Sequence, residues 1–266
     1  MVLGKVEGLS DAEFRFYTDV LKKLNQSGIP YLVGGAYALA RYAGIIRHTK
    51  DLDLFVQASE WPRISEALRQ LNYSVELTFP HWLGKAFSGD NFIDIIFSSG
   101  SGVAAVDHFW FDKATQDEVL GVEVKLVPAE EMLWQKAYIM ERERFDGADV
   151  AHLIKARGES LDWQHLLMRF QRDYRVLLSH LLLFGFVYPG EKDKIPTAVI
   201  DQLLDRVKND PDKSDVADAG ICNGTLLSRE QYLTDIHDWG YRDARLKPLG
   251  GMSSDDIAHW TAAIDR

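Results

Sequence analysis

The chain has 266 residues, of which 46% are hydrophobic and 26% are charged, and its formal net charge at pH 7 is −10. This composition is typical of a globular protein with a full hydrophobic core, and it excludes wholesale disorder. The acidic balance disfavours broad, non-specific attachment to nucleic acid backbones or anionic membranes, so we expect small-molecule or protein partners ahead of duplex DNA.

Cysteine content and hydropathy predict a protein of a reducing compartment that does not enter the membrane. Cys222 is the single cysteine, which rules out an internal disulfide and a cysteine-rich zinc site. The most apolar run, residues 176–188, is interrupted by Ser179, His180 and Gly185 and is too short to cross a bilayer. No N-terminal signal peptide is recognisable, so we expect a cytoplasmic protein.

The first part of the chain predicts two helices and two strands in alternation. Ser10 and Asp11 form a favourable helix start, and apolar residues continue at helical spacing to Leu24. A short β-rich run at residues 31–33 follows, and residues 36–42 have helix-favouring composition. Residues 51–56 then alternate between polar and apolar with period two, which indicates a strand.

Gly34 and Gly35 separate the first predicted strand from the second predicted helix. Two adjacent glycines leave a stretch of backbone without Cβ atoms, so that amide N–H groups can approach a ligand closely. At a helix N-terminus, unpaired N–H groups and the helix dipole attract phosphate. A tight strand-to-helix turn without any ligand explains the pair equally well when it is considered alone.

The strand at residues 51–56 carries Asp51 and Asp53 on one face, about 6.6 Å apart along the strand. Leu52, Leu54 and Val56 alternate with them and are expected to face the core. Two carboxylates on one face repel each other unless a positive charge lies between them. A divalent metal supplies that charge, and magnesium prefers carboxylate oxygens, water and substrate phosphates as ligands.

The chain continues with a predicted helix from Trp61 and strands at residues 74–79, 83–88 and 91–98. In the last of these, Asp94 is the single ionisable group among apolar neighbours, so it requires a partner. If this strand lies beside residues 51–56, Asp94 completes a site of three carboxylates. Lys85, on the preceding strand, is a candidate for a position close to that site.

From Pro128 onwards the pattern becomes helical. A last strand is predicted at residues 119–127, and helices are predicted from Pro128, from Asp146 and, with a 3.6-residue period, from Trp163 to Phe184. A further helix at residues 198–208 and short helices after Ser228 and Ser254 are expected in the C-terminal part. The predicted domains are 1–127, 128–187 and an extension at 188–266.

The glycine pair, the Arg-x-Thr-x-Asp-x-Asp segment and the lone aspartate on a later strand together resemble the nucleotidyltransferases of the DNA polymerase β superfamily. The resemblance covers residues 29–94 by motif and extends loosely to residue 178. It is similar to the small bacterial branches with Gly-Gly, which include antibiotic nucleotidyltransferases and nucleotidyltransferase-like toxins. Fifteen residues separate Gly35 from Asp51, which is more than in many members of the superfamily.

The resemblance implies an α/β (α+β) fold, in which a polymerase β-like domain with a mixed sheet precedes an α-helical domain. It implies that Gly34 and Gly35 bind the phosphates of a nucleoside triphosphate such as ATP. Asp51, Asp53 and Asp94 are implied as the catalytic carboxylates that hold Mg²⁺ or Mn²⁺. Arg47, Thr49 and Lys136 are implied as further phosphate-binding or positioning residues.

The activity implied by the resemblance is magnesium-dependent transfer of a nucleoside monophosphate from a nucleoside triphosphate to an acceptor hydroxyl, with release of pyrophosphate. A small-molecule acceptor fits the acidic composition better than a nucleic acid does. A toxin that modifies transfer RNA and a non-catalytic nucleotide sensor are the alternatives, and the oligomeric state is left open. Helix capping alone would explain Asp146 and Asp149, which stand with Arg144 at a predicted helix start.

Overall fold

The structure is a computed structural model that describes residues 9–46, 51–209 and 220–263. The described chain divides into two compact units. The first contains the residues up to Gly100 together with Ala104–Pro128, and the second contains Ser101–Val103 and the residues from Ala129 onwards. None of the helices formed by these described residues is long and apolar enough to cross a lipid bilayer.

The first unit is built around a mixed seven-stranded sheet with the strand order β3-β4-β5-β2-β1-β7-β6. Its strands are β1 (Leu32–Val33), β2 (Asp53–Phe55), β3 (Ser74–Phe79), β4 (Leu83–Ser88), β5 (Asn91–Ile96), β6 (Thr115–Val119) and β7 (Val122–Leu126). Its helices are α1 (Asp11–Gln26), α2 (Gly35–Ala43), α3 (Trp61–Arg69) and the short α4 (His108–Asp112). The predicted α/β class with a mixed sheet is therefore confirmed.

One face of this sheet is covered by α1 and α3, and the hydrophobic core lies there. The start of α1 is fixed by a capping box, in which the Ser10 hydroxyl accepts a hydrogen bond from the Glu13 amide and the Glu13 carboxylate accepts one from the Ser10 amide. The buried side of α1 packs against alternate residues of β2 and β5, including Leu54 and Ile95. The intervening residues of these strands consequently point to the opposite face of the sheet.

The predicted strand at residues 119–127 is wrong in extent, because this part of the chain belongs to a hairpin. Strands β6 and β7 pair antiparallel, with Val119 opposite Val122. The turn consists of Leu120 and Gly121, both with positive φ, of 54° and 77°. A positive φ at both central turn residues matches the twist of an antiparallel pair, and Gly121 adopts it without strain.

The second unit is predominantly helical. Its helices are α5 (Ala129–Ala137), α6 (Gly147–Arg157), α7 (Trp163–Phe170), α8 (Tyr174–Val187), α9 (Thr197–Asn209), α10 (Leu233–His237) and α11 (Ser254–Ala262). Two short parallel strands accompany them, β8 (Ile221–Cys222) and β9 (Arg242–Asp243). The helix predicted after Ser228 begins only at Leu233, whereas α11 begins with the capping box of Ser253 and Asp256.

The single long helix predicted from Trp163 to Phe184 is interrupted. Helix α7 ends before Gln171, whose φ is 33°, and a 3₁₀ turn at Gln171–Asp173 leads into α8. Asp173, in this turn, accepts a hydrogen bond from the Tyr138 hydroxyl at 2.9 Å. The apolar period continues across the break, so hydrophobic spacing alone does not reveal it.

Candidate active site

The turn between β1 and α2 brings the two glycines against strand β2. The Gly34 amide donates a hydrogen bond to the Asp53 carbonyl oxygen at 3.0 Å. A Cβ atom at position 34 would lie 2.2 Å from Cε2 of Phe55, and one at position 35 would lie 1.6 Å from Oδ2 of Asp53. Gly35 also has a φ of +54°. Both positions therefore require glycine, and the start of α2 lies directly beside the Asp53 carboxylate.

Helix α2 begins at this contact with no side-chain cap. Gly34 is its N-cap residue and provides no side-chain oxygen for the first-turn amides. The first amides of a helix have no partner within the helix, and the helix dipole places partial positive charge there. The two glycines thus combine a backbone free of Cβ atoms with an electropositive helix end, which is a suitable environment for a phosphate group.

Three carboxylates converge next to this turn. Strands β2 and β5 pair in parallel with Asp53 directly opposite Asp94, and the Asp94 amide donates to the Leu52 carbonyl oxygen at 3.0 Å. One carboxylate oxygen from each of Asp51, Asp53 and Asp94 lies within 4.8 Å of the other two. All three residues are partly exposed. The structure therefore brings together the acidic residues that the strand alternation predicts on one face of the sheet.

The donor set of this cluster fits a hard divalent cation. The three available ligand atoms are carboxylate oxygens, which Mg²⁺ and Mn²⁺ prefer over nitrogen or sulfur donors. Partial exposure leaves room for water or substrate oxygens to complete the coordination shell. The chemistry of Asp51, Asp53 and Asp94 thus suits the metal that the sequence resemblance implies.

Lys85 forms an ion pair with Asp94, and the sequence analysis did not predict this pairing. Its ammonium lies 2.6 Å from Oδ1 of Asp94. The same ammonium lies over the ring of Phe92, at 4.2 Å from the ring centre. A hairpin whose turn consists of Gly89 and Asp90 places residue 85 opposite residue 94. The position of this turn in the sequence is therefore sufficient to predict the pair.

Two buried tyrosines, Tyr17 on α1 and Tyr37 on α2, interact electrostatically with Asp51. Burial raises the pKa of the Tyr37 phenol far above its usual value, and the charges of Glu13 and Asp51 raise it further. Burial likewise raises the pKa of Tyr17, with additional contributions from Tyr37 and the acidic residues. Both phenols are therefore neutral at physiological pH and add no negative charge to the cluster.

The remaining predicted phosphate-binding residues do not lie in the described part of the first unit. Arg47 and Thr49 are outside the described residues. Lys136 belongs to α5 of the second unit, where its ammonium lies 2.7 Å from Oδ2 of Asp146 and 2.8 Å from Oδ2 of Asp149.

The helix-capping interpretation of Asp146 is wrong, because its side chain pairs with cations. Asp146 occupies the N-cap position of α6 without a capping hydrogen bond from its side chain. It accepts hydrogen bonds from Lys136 and Arg144 instead. Burial alone would raise the pKa of Asp146, but the hydrogen bonds from Arg144 and the charge of Lys136 outweigh it and hold the pKa at about 2. Asp146 is therefore ionised at any physiological pH.

A glycine turn at the start of a helix lies beside three carboxylates, of which Asp51 precedes β2, Asp53 lies on β2 and Asp94 lies on the neighbouring β5. This is the arrangement that the resemblance of the sequence to nucleotidyltransferases predicts. The sequence agrees with this class. Residues 13–170 match the model of the family described as "Nucleotidyl transferase of unknown function (DUF2204)", and the chain belongs to this family. No curated protein sequence matches the chain.

Several solved structures match the chain at low sequence identity and low TM-score. The antibiotic-resistance factor ANT(2'')-Ia is 16% identical, with 65% of this chain and 98% of that chain covered and a TM-score of 0.44. The lincosamide antibiotic adenylyltransferase LnuA in its lincomycin-bound form is 13% identical, with coverages of 55% and 96% and a TM-score of 0.37. An antigenic nucleotidyltransferase-like protein from Paracoccidioides brasiliensis is 16% identical, with coverages of 64% and 92% and a TM-score of 0.38. The family assignment therefore rests on the sequence match.

Proposed function

We propose that this protein is a magnesium-dependent nucleotidyltransferase that moves a nucleoside monophosphate from a nucleoside triphosphate to an acceptor hydroxyl and releases pyrophosphate. The observation that carries the proposal is the convergence of Asp51, Asp53 and Asp94 within 4.8 Å, beside a glycine turn at a helix N-terminus. A cluster of carboxylates next to an anion-binding turn is otherwise difficult to explain, since it concentrates negative charge without a structural benefit. Family membership supports the same reaction class.

Each part of the site has a separate task in this proposal. The backbone at Gly34 and Gly35 binds the β- and γ-phosphates, because no side chain there prevents their close approach. Asp51, Asp53 and Asp94 hold Mg²⁺ or Mn²⁺, which would neutralise phosphate charge and favour deprotonation of the acceptor. We assign Asp94 to the acceptor side, because it lies on β5, whereas Asp53 lies on β2 and Asp51 directly precedes β2.

The transfer itself exchanges one bond to phosphorus for another. The acceptor oxygen forms a bond to the α-phosphorus while the bond from that phosphorus to the bridging oxygen of pyrophosphate breaks. The electron pair leaves with pyrophosphate, and the hydroxyl proton passes to the carboxylate of Asp94. Holding the triphosphate and the acceptor in line contributes most of the rate acceleration in such a reaction, because it replaces a bimolecular encounter by a preorganised one.

The roles of Arg47, Thr49 and Lys136 stay predictions from the sequence motif. For Lys136, a phosphate would have to compete with Asp146 and Asp149, both of which lie within 2.8 Å of its ammonium. We therefore expect Lys136 to stabilise the second unit through these two ion pairs rather than to bind a nucleotide.

We further propose a small-molecule acceptor and a cytoplasmic location. The net charge of −10 opposes the counterion-driven attachment on which nucleic acid binding depends. The presence of a single cysteine is typical of proteins from a reducing compartment.

The test is transfer of label from each α-³²P nucleoside triphosphate, with Mg²⁺, to separate panels of hydroxylated antibiotics, total RNA and proteins. We expect labelled product and pyrophosphate with the small-molecule panel. Asp51→Asn combined with Asp53→Asn should abolish both, whereas Asp90→Asn, an exposed turn aspartate of the same unit, should leave both unchanged. Full activity in the double variant would refute the proposal. Labelling of RNA would favour a toxin, and nucleotide binding without pyrophosphate release would favour a sensor.

A further inference from the structure

Two carboxylates of the cluster, Asp53 and Asp94, belong to a row of four charged residues across four strands of the sheet. Glu76 on β3 lies opposite Lys85 on β4, Lys85 lies opposite Asp94 on β5, and Asp94 lies opposite Asp53 on β2. Residues directly opposite each other on neighbouring strands point to the same face of a sheet. The row therefore places one cation, Lys85, beside the carboxylates on the face that carries the proposed active site.

Lys85 is held firmly in this row. Its side chain is 23% exposed and that of Asp94 is 16% exposed, with 2.6 Å between the Lys85 ammonium and Oδ1 of Asp94. The Phe92 ring, 4.2 Å from the ammonium, covers it on a further side. A half-buried ion pair with an aromatic neighbour has less rotational freedom and less solvent screening than a surface pair. Lys85 thus fixes the orientation of one particular carboxylate.

We propose that Lys85 is a positioning residue of the proposed nucleotidyltransferase reaction. It fixes the orientation of the Asp94 carboxylate through Oδ1 and it sets the charge of the cluster. This inference rests on the proposed function, because it assigns Lys85 a task in the site that the function requires. Lys85 does not contact the transferred phosphorus in this proposal and acts through Asp94.

The charge of Lys85 should have opposite effects on metal binding and on turnover. Among the described residues, the carboxylates of Asp51, Asp53 and Asp94 and the ammonium of Lys85 together carry two negative charges, and Glu76 adds a further one on the other side of Lys85. Replacing Lys85 by an uncharged residue makes the cluster more negative by one charge and removes the repulsion between the ammonium and an incoming cation. Metal binding should therefore become tighter, whereas turnover should become slower because Asp94 is no longer oriented. A variant that is merely misfolded would lose both properties.

The first arm of the test measures Mn²⁺ binding to the full chain by electron paramagnetic resonance titration, without nucleotide. We expect Lys85→Met to bind the first Mn²⁺ on the order of tenfold more tightly than the wild type. Lys85→Arg, which keeps the charge, should bind within about threefold of the wild type. Lys125→Met removes an exposed strand lysine of the same unit and should change nothing. Equal or weaker Mn²⁺ binding in Lys85→Met would overturn the proposal.

The second arm measures steady-state kinetics with the acceptor identified by the label-transfer experiment. We expect Lys85→Met to lower kcat by about 10- to 100-fold with little change in KM for the nucleotide, because the variant loses orientation at the acceptor side. Lys85→Arg should recover a substantial part of kcat. An unchanged kcat in Lys85→Met, with an intact circular dichroism spectrum, would also overturn the proposal.

The two arms separate this inference from the proposed function. If no acceptor is found but Mn²⁺ binds more tightly to Lys85→Met, the charge-setting role of Lys85 stands and the transferase proposal fails. If transfer is observed and depends on Asp51 and Asp53 but both Lys85 arms show no effect, the transferase proposal stands and this inference fails. Asp53→Asn should abolish Mn²⁺ binding in either background, which confirms that the titration reports on the carboxylate cluster.

Discussion

Gly35 and Asp53 approach so closely that a Cβ atom on residue 35 would lie 1.6 Å from Oδ2 of Asp53. This contact joins the start of α2 to the carboxylate cluster. It means that the glycine is required by the position of the aspartate as well as by its own φ of +54°.

The first prediction separates these two requirements. Gly35→Ala should destabilise the protein by about 3 kcal/mol, because it combines left-handed backbone strain with a collision against the Asp53 carboxylate. Gly28→Ala is the matched control, since Gly28 has a φ of +59° but no atom within 4 Å of its Cβ position. The control should cost only about 1–2 kcal/mol, the price of the backbone strain. Urea unfolding measures both variants, and equal losses would contradict the prediction.

The second prediction concerns the metal. A ligand that binds only the folded protein stabilises it, by about 2.7 kcal/mol at a hundredfold excess over Kd. We expect saturating Mg²⁺ to raise the melting temperature of the wild type by a few degrees, because it binds the cluster of Asp51, Asp53 and Asp94. Asp53→Asn should abolish the increase, and Asp90→Asn, which changes an exposed turn residue, should retain it. A persistent Mg²⁺ effect in Asp53→Asn would place the ion elsewhere.

The third prediction compares two buried tyrosines of the first unit. The Tyr37 hydroxyl is buried and has no hydrogen-bond partner among the described residues, whereas the Tyr31 hydroxyl bonds to Oδ1 of Asn25 at 3.0 Å. A buried polar group without a partner carries a desolvation cost. Tyr37→Phe should therefore leave stability unchanged or raise it by up to about 1 kcal/mol, and Tyr31→Phe should lower it by about 1 kcal/mol. Thermal and urea unfolding check both values. A loss of stability in Tyr37→Phe as large as that in Tyr31→Phe would contradict the prediction and indicate that the Tyr37 hydroxyl has a hydrogen-bond partner.

Local periodicity was sufficient to predict much of the candidate site. The alternation around Asp51, Asp53 and Asp94 places their side chains opposite the apolar residues that face the core, as observed. The hairpin turn at Gly89 and Asp90 fixes the register of β4 and β5. Properties of this kind depend on a few consecutive residues, so they are readable from one sequence.

Contacts between distant segments were not readable in this way. The parallel pairing of β2 and β5 follows from the order of the strands in the sheet, which many sequences could satisfy differently. The break at Gln171 preserves the apolar period on both sides, so the hydrophobic pattern predicted one continuous helix. Lys136 was interpreted without its partners, because Asp146 and Asp149 reach it through the packing of α5 against α6. Tertiary packing determines which of these distant residues come into contact.

The fourth prediction uses the pair of Lys136 and Asp146 in the second unit. Their side chains are 11% and 8% exposed, so Lys136→Met removes a buried ammonium from two buried carboxylates, Asp146 and Asp149, and leaves Asp146 with Arg144. Lys136→Met should cost about 3–5 kcal/mol, the range for breaking a buried ion pair. Arg144→Met should cost less, because the Arg144 side chain is 63% exposed and solvent screens its contribution. A cost for Arg144→Met equal to that of Lys136→Met would contradict this ranking.

The same pair predicts a pH dependence. The pKa of Asp146 falls from 3.8 to about 2 on folding, so the folded state favours the ionised carboxylate. Its contribution, about 2 kcal/mol, is therefore fully present above pH 4 and is lost as the pH falls toward 2. Asp146→Asn removes the titrating group, so the stability difference between the wild type and this variant should shrink over that interval. Urea unfolding of both proteins between pH 5 and pH 2 measures the difference. A difference that stays constant with pH would show that Asp146 keeps its ordinary pKa in the folded protein.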